Sequence, residues 1–144
     1  MSELRDLYQE VILDHSKRPR NFGPLSDAHS AKGHNPLCGD HITVHVVLED
    51  DTVTDVRFEG SGCAISTASA SMMTEAALGQ PVERALELGQ ALRKLMHGEA
   101  PTAAQEEALG DLMALQGVAK FPVRIKCALL PWMALKDALS RAGA

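Results

Sequence analysis

Ile42, Val44, Val46 and Leu48 alternate with His41, Thr43, His45 and Val47, and this period of two constrains the fold more than any other feature. Such a segment is a half-buried strand whose apolar face needs cover. Glu49-Asp50-Asp51-Thr52 reads as a turn, and residues 53–59 form a second strand with Val56 and Phe58 on one face. The two make an antiparallel hairpin.

Around the hairpin the chain reads as helical. Leu4, Leu7, Tyr8, Val11 and Ile12 fall at helical spacing, which predicts a helix from about Ser2 to His15 with Ser2 as its N-cap. The run Arg18-Pro19-Arg20-Asn21-Phe22-Gly23-Pro24 cannot extend it, because proline removes a donor and clashes with the preceding turn. Residues 16–40 are therefore expected to be a long irregular segment, a kind of loop that is usually functional or mobile. After Gly60-Ser61-Gly62, a helix is expected from about Cys63 to Leu78, with Ala64, Ser66, Ala68, Ser69, Ala70 and Ser71 small enough to admit another backbone. Gly79-Gln80-Pro81 stops it. A helix from about Val82 to Met96 carries the apolar stripe Ala85, Leu88, Leu92 and Leu95. Residues 102–115 are expected to be helical in two pieces around Gly110. Phe121-Pro122-Val123 reads as a short extended lead-in to a last helix from about Cys127 to Ala142, in which Pro131 is tolerated only in the first turn. Met72, Met73, Met96, Met113 and Met133 are expected to fill the core. The elements make an α+β chain.

At 144 residues the expectation is one domain, residues 1–144, able to bury a core without disulfide staples. The formal charge of −5 argues against a nucleic-acid partner, and so does the scarcity of aromatic residues for base stacking. Residues 1–10 are polar and charged, unlike a signal peptide, and no apolar run approaches the length of a membrane span. The expected setting is the cytoplasm, with reduced thiols and no membrane association.

In that setting three dispersed cysteines mean metal, catalysis or simple burial. They are Cys38 in Asn35-Pro36-Leu37-Cys38-Gly39-Asp40, Cys63 in Gly60-Ser61-Gly62-Cys63, and Cys127 in Arg124-Ile125-Lys126-Cys127. With Asp40 they supply three thiolates and a carboxylate, a set that tetrahedral zinc can accept. Structural zinc sites usually use cysteine and histidine alone, so the oxygen donor hints at cysteines that also react. Cys63 and Cys127 both fall at expected helix N-termini, where free N–H groups and the helix dipole favour thiolate. Gly39 and Gly62 permit close approach of backbone to a metal or a second chain. Any one cysteine alone is more often a small buried hydrophobe. Among the histidines, His34 is a spare ligand, His41 and His45 belong to the polar strand face, and His15, His29 and His97 read as surface or capping residues.

At these residues the chain resembles the IscU-type iron–sulfur cluster assembly proteins, within the SufE/NifU superfamily, and more narrowly their SufU branch. The similarity runs from Leu7-Tyr8 through Pro131-Trp132. It is carried by Asp14-His15-Ser16-Lys17-Arg18-Pro19-Arg20-Asn21, the Cys38 run above, Phe58-Glu59-Gly60-Ser61-Gly62-Cys63-Ala64-Ile65-Ser66, and the stretch from Leu115 to Ala128. Two features select the branch. Scaffolds of the IscU type carry histidine just before the third cysteine, where this chain has Lys126. The stretch between Cys63 and Cys127 is also long, consistent with an insertion within residues 82–110.

The resemblance implies a small antiparallel sheet covered by helices on one side, and a zinc ion held by Cys38, Asp40, Cys63 and Cys127. It implies as partner a pyridoxal-phosphate cysteine desulfurase of the SufS type, whose histidine replaces one cysteine on zinc. Cys38, the matching residue, would then accept the persulfide sulfur and pass it to downstream iron–sulfur assembly proteins. The activity so implied is that of a zinc-dependent sulfurtransferase. Its alternative is a scaffold that assembles an iron–sulfur cluster on the same cysteines. Arg124 could neutralise the site's negative charge or orient a persulfide.

Overall fold

The structure, a computed structural model, describes residues 2–36 and 39–143, with the side chains of residues 2–7 outside the description. Its order is α1 (Ser2–Lys17), β1 (His29–Asn35), β2 (Asp40–Glu49), β3 (Thr52–Ser61), α2 (Ala64–Ala77), α3 (Val82–Met96), α4 (Ala103–Leu109), a 3₁₀ stretch (Gly110–Lys120) and α5 (Pro122–Arg141).

The hairpin forms as the alternation requires. Val44 pairs with Phe58 and Val46 with Val56, so the apolar sets of β2 and β3 share one face. Asp50 and Asp51 both take positive φ, 50° and 60°. Two such central residues make a type I′ turn, whose twist matches that of the flanking strands.

A third strand, β1, lies antiparallel to β2 inside the segment expected to be irregular. The sequence His29-Ser30-Ala31-Lys32-Gly33-His34-Asn35 has no β-branched or aromatic residue to announce it. Ala31 is its single buried apolar side chain, opposite Val44. The strand forms because β2 has a free edge whose backbone groups need partners. Gly33 also matters: a Cβ there would lie 2.9 Å from Leu130 Cδ1 and 3.3 Å from the Leu130 carbonyl oxygen, so the glycine lets this strand approach α5 without displacing the Leu130 side chain.

Burial alternates along β2, with Asp40, Ile42, Val44 and Val46 inward and His41, Thr43 and His45 at least partly exposed. Helices α2 and α5 cover the inward face. The small residues of α2 allow close packing as expected: Ser66, Ala68, Ser69, Ala70 and Ser71 are buried, and Ser69 Oγ donates to the carbonyl of Ala128 at 2.6 Å. On its other side α2 meets α1. There His15 is 3% exposed rather than on the surface, its Nδ1 lying 2.7 Å from Ser71 Oγ. Ser71 Oγ also accepts the N–H of Arg20 at 2.8 Å and so ties the segment after α1 to α2.

Helix α3 has the expected bounds. Gly110, at φ 52°, breaks the next helical stretch as expected, but the second piece is 3₁₀ rather than α. Thr102 closes a capping box with Gln105 at the start of α4. The last helix begins at Pro122, not Cys127. Proline suits that first position because an N1 residue has no N–H partner to lose. Pro131 consequently lies deep within α5 rather than in its first turn. Four of the five methionines named above are buried; Met133 is 61% exposed and is not a core residue. No helix among the described residues is long and apolar enough to cross a membrane.

Candidate metal centre

Three elements meet at one end of the sheet. Asp40 opens β2, Cys63 is the N-cap of α2, and Cys127 lies in the second turn of α5. A carboxylate oxygen of Asp40 and the two sulfurs lie within 4.8 Å of one another. Asp40 and Cys127 are fully buried, while Cys63 is half-buried. Of the four residues expected here, Cys38 lies outside the described residues.

Asp40 is held from one side. The N–H of Cys63 donates to its Oδ1 at 2.8 Å, leaving Oδ2 3.9 Å from Cys63 Sγ. One oxygen thus satisfies the first free N–H of α2 and the other faces the thiols. Gly62 makes this possible: a Cβ there would lie 2.7 Å from Asp40 Oδ1 and would strike Ser66 Oγ. Gly60 serves the same junction, with φ of 128° and a Cβ position already filled by the carbonyl of His41.

Cys127 does not sit at a helix N-terminus, because α5 starts five residues earlier. Cys63 stands at a helix N-terminus, as expected, and Cys127 does not. What surrounds the Cys127 sulfur instead is Asn35, whose Nδ2 donates to it at 3.7 Å, and Arg124. The guanidinium of Arg124 has its pKa raised above the usual arginine value. The charge of Cys63 is the main cause, followed by hydrogen bonds to Cys63 and Cys127. A solvent-exposed cation therefore lies over the two sulfurs.

The spare ligand does not join them. His34 pairs with His41 across β1 and β2, and their rings stack with centroids 4.1 Å apart. Strand alternation turns both away from the face that bears Asp40. His45 is tied to Ser30 at 2.6 Å and to Glu59 at 2.8 Å. His97 caps α3 by contact with the carbonyl of Arg93, as expected. Asn35 and Ser66 are contributors that sequence reasoning passed over. Strand register brings the first to the sulfurs and a single helical turn brings the second, so neither carried a signal in the sequence.

The donor set fits zinc. Zinc–sulfur bonds of about 2.3 Å at a tetrahedral angle separate two sulfurs by about 3.8 Å, within small side-chain adjustment of this cluster. The buried carboxylate, with one oxygen fixed by backbone and the other facing two thiols, suits an oxygen ligand.

A three-stranded sheet backed by helices, with a carboxylate and thiols converging at one end, defines a class of thiol-bearing metal-site proteins. The chain belongs to the NifU-like N-terminal domain family, whose pattern matches residues 7–128. It is 46% identical over 140 residues to the zinc-dependent sulfurtransferase SufU of Bacillus subtilis, covering 97% of this chain and 94% of that one. It is 45% identical over 141 residues to the iron–sulfur cluster assembly scaffold protein IscU of Streptococcus pyogenes serotype M1, covering 98% and 87%. Among solved structures, a putative iron–sulfur cluster assembly scaffold protein for the SUF system from Fervidobacterium islandicum superposes with a TM-score of 0.85 at 38% identity, over 94% of this chain and 98% of the other. The chain is thus a member of the IscU/SufU group of iron–sulfur cluster assembly proteins.

Proposed function

We propose that this protein is a zinc-dependent sulfurtransferase, which takes persulfide sulfur from a pyridoxal-phosphate cysteine desulfurase of the SufS type and passes it into iron–sulfur cluster assembly. The observation that carries the reading is the convergence of Asp40, Cys63 and Cys127 from three separate elements, with Arg124 over the sulfurs. Cys38, Asp40, Cys63 and Cys127 would hold the zinc, which would keep the thiols deprotonated without redox chemistry of its own.

Cys38 is the proposed acceptor. Support comes from its chain neighbours: Asn35 reaches the sulfur of Cys127, and Asp40 adjoins Cys63. A Cys38 thiolate attacks the terminal sulfur of the donor's cysteine persulfide. The donor's sulfur–sulfur bond breaks, its cysteine leaves as thiolate, and the sulfane sulfur remains on Cys38. The exchange conserves electrons, so no oxidant or reductant is required. Arg124, which interacts with Cys63 and Cys127, has the charge to stabilise an anionic persulfide at this centre. Further support is the 46% identity to a zinc-dependent sulfurtransferase.

The similarity to a relative named as a scaffold keeps a second reading in play, cluster assembly on the same donors. Lys126 weighs against it, since a scaffold-type histidine would stand there. Elemental analysis of anaerobically purified protein, combined with ³⁵S-cysteine labelling through the desulfurase, tests both. One zinc per chain and label that Cys38→Ser abolishes support sulfur transfer. Iron with acid-labile sulfide instead supports the scaffold.

A further inference from the structure

A groove of about 670 Å³ runs between α3 and α5. Helical spacing gives α5 two faces. Cys127, Ala128, Leu130, Ala134 and Ala138 turn inward, whereas Lys126, Leu129, Met133 and Lys136 open onto the groove. Its apolar surface includes Leu86, Leu129 and Trp132. Arg93, Lys126 and Lys136 line it as well, and among the described residues no aspartate or glutamate does. That exclusion stands out in a chain with 19 acidic and 14 basic residues.

The groove is also continuous with the metal centre. Pro122, Ile125 and Lys126 line it, and Cys127 is the next residue. Phe121 and Val123, on either side of Pro122, are 60% and 53% exposed, so an apolar strip leads from the groove toward Arg124.

We propose that the groove between α3 and α5 docks an acidic, apolar-bearing segment of the sulfur-donor protein. The inference rests on the sulfur-transfer reading for the identity of that partner. Apolar side chains of the segment cover Leu129 and the exposed Met133, while its carboxylates meet Arg93, Lys126 and Lys136. Complementary charge of this kind acts on encounter and register, and it weakens as salt screens it. Lys126 thereby has a place in recognition rather than among the metal's donors.

The test is the affinity of fluorescently labelled full-length protein for the desulfurase, measured by anisotropy at low and high salt. Wild type is compared with the double variant Arg93→Glu/Lys136→Glu and with Arg93→Lys/Lys136→Arg, using circular dichroism and zinc content as controls. Charge reversal should raise Kd at least about tenfold and flatten its salt dependence, and the charge-conserving variant should bind as wild type does. Equal Kd for wild type and the reversed variant overturns the proposal. So does wild-type self-association that charge reversal abolishes, because the groove then holds a second copy of this chain. Failure of wild type to bind the desulfurase overturns both this inference and the sulfur-transfer reading. Groove-dependent binding without ³⁵S transfer to Cys38 overturns the sulfur-transfer reading alone.

Discussion

Asp40 does two jobs with two oxygens, and single substitutions separate them. Asp40→Asn keeps an oxygen that can accept from the Cys63 N–H but removes the anionic donor. The expected outcome is a protein that loses its metal but, compared with wild type in the metal-free state, keeps nearly the same stability. Asp40→Ala also orphans the N–H at the start of α2, at a cost of about 1–3 kcal/mol. Urea midpoints and zinc content of the two variants check this. Equal loss of stability in both would show that Oδ1 contributes nothing at the helix start.

His15 makes a second residue-scale prediction. Burial holds its pKa below the ordinary 6.5, and the charge of Arg20 pushes the same way against Glu75, Asp111 and Asp14. The folded protein therefore prefers neutral His15, hydrogen-bonded to Ser71. In the unfolded chain the imidazole protonates near 6.5, before it does so in the fold, so the unfolded state gains protons first. The associated stability is full above pH 6.5 and declines as pH falls toward the lowered folded value. Urea unfolding of the metal-free protein from pH 7.5 to 5 should show this decline, and His15→Gln should flatten it. Sequence alone pointed to a surface histidine, because a short polar context gives no sign of burial by a distant helix.

At the scale of elements, the small residues of α2 decide how closely it approaches α5. Ser69 Oγ at 2.6 Å from the Ala128 carbonyl leaves no room for a larger side chain. Ser69→Ala should cost about 1 kcal/mol through one lost hydrogen bond. Ser69→Leu should cost about 1–3 kcal/mol through overpacking, and it should also disturb the centre because Ala128 follows Cys127. Chemical denaturation and metal affinity, measured together, distinguish the two effects. The start of α5 shows the limit of local reading. Phe121-Pro122-Val123 resembles a strand when proline and β-branched valine are weighed alone. Proline at N1 instead opens the helix and carries Arg124 one turn ahead of Cys127, so that both reach the centre.

Over the whole molecule, the centre joins β2, α2 and α5, and a metal held there would tie together segments far apart in sequence. Binding energy of this kind stabilises the folded state because the unfolded chain has no assembled site. Chelation should lower the melting temperature and speed amide exchange in residues 39–41, 60–64 and 122–128, while the middle of the β2–β3 hairpin stays protected. Hydrogen exchange followed by mass spectrometry reads this directly, and unchanged exchange at those segments would count against metal binding there.

The hairpin, the bounds of α3 and the break at Gly110 were legible in the sequence, as was the chemistry of Asp40, Cys63 and Cys127, which the fold brings together. Each depends on a periodicity, a backbone preference or a side-chain chemistry that acts within a few residues. Only the tertiary structure decided that β1 exists, that His15 is buried, that Met133 is exposed and that His34 faces away from Asp40. These outcomes depend on which backbone edge needs a partner and which face a neighbouring element covers. A strand with the weak pattern of β1 becomes ordered because β2 offers it a ladder, and a thiol in the second turn of α5 becomes part of a cluster because sheet and helices converge on it.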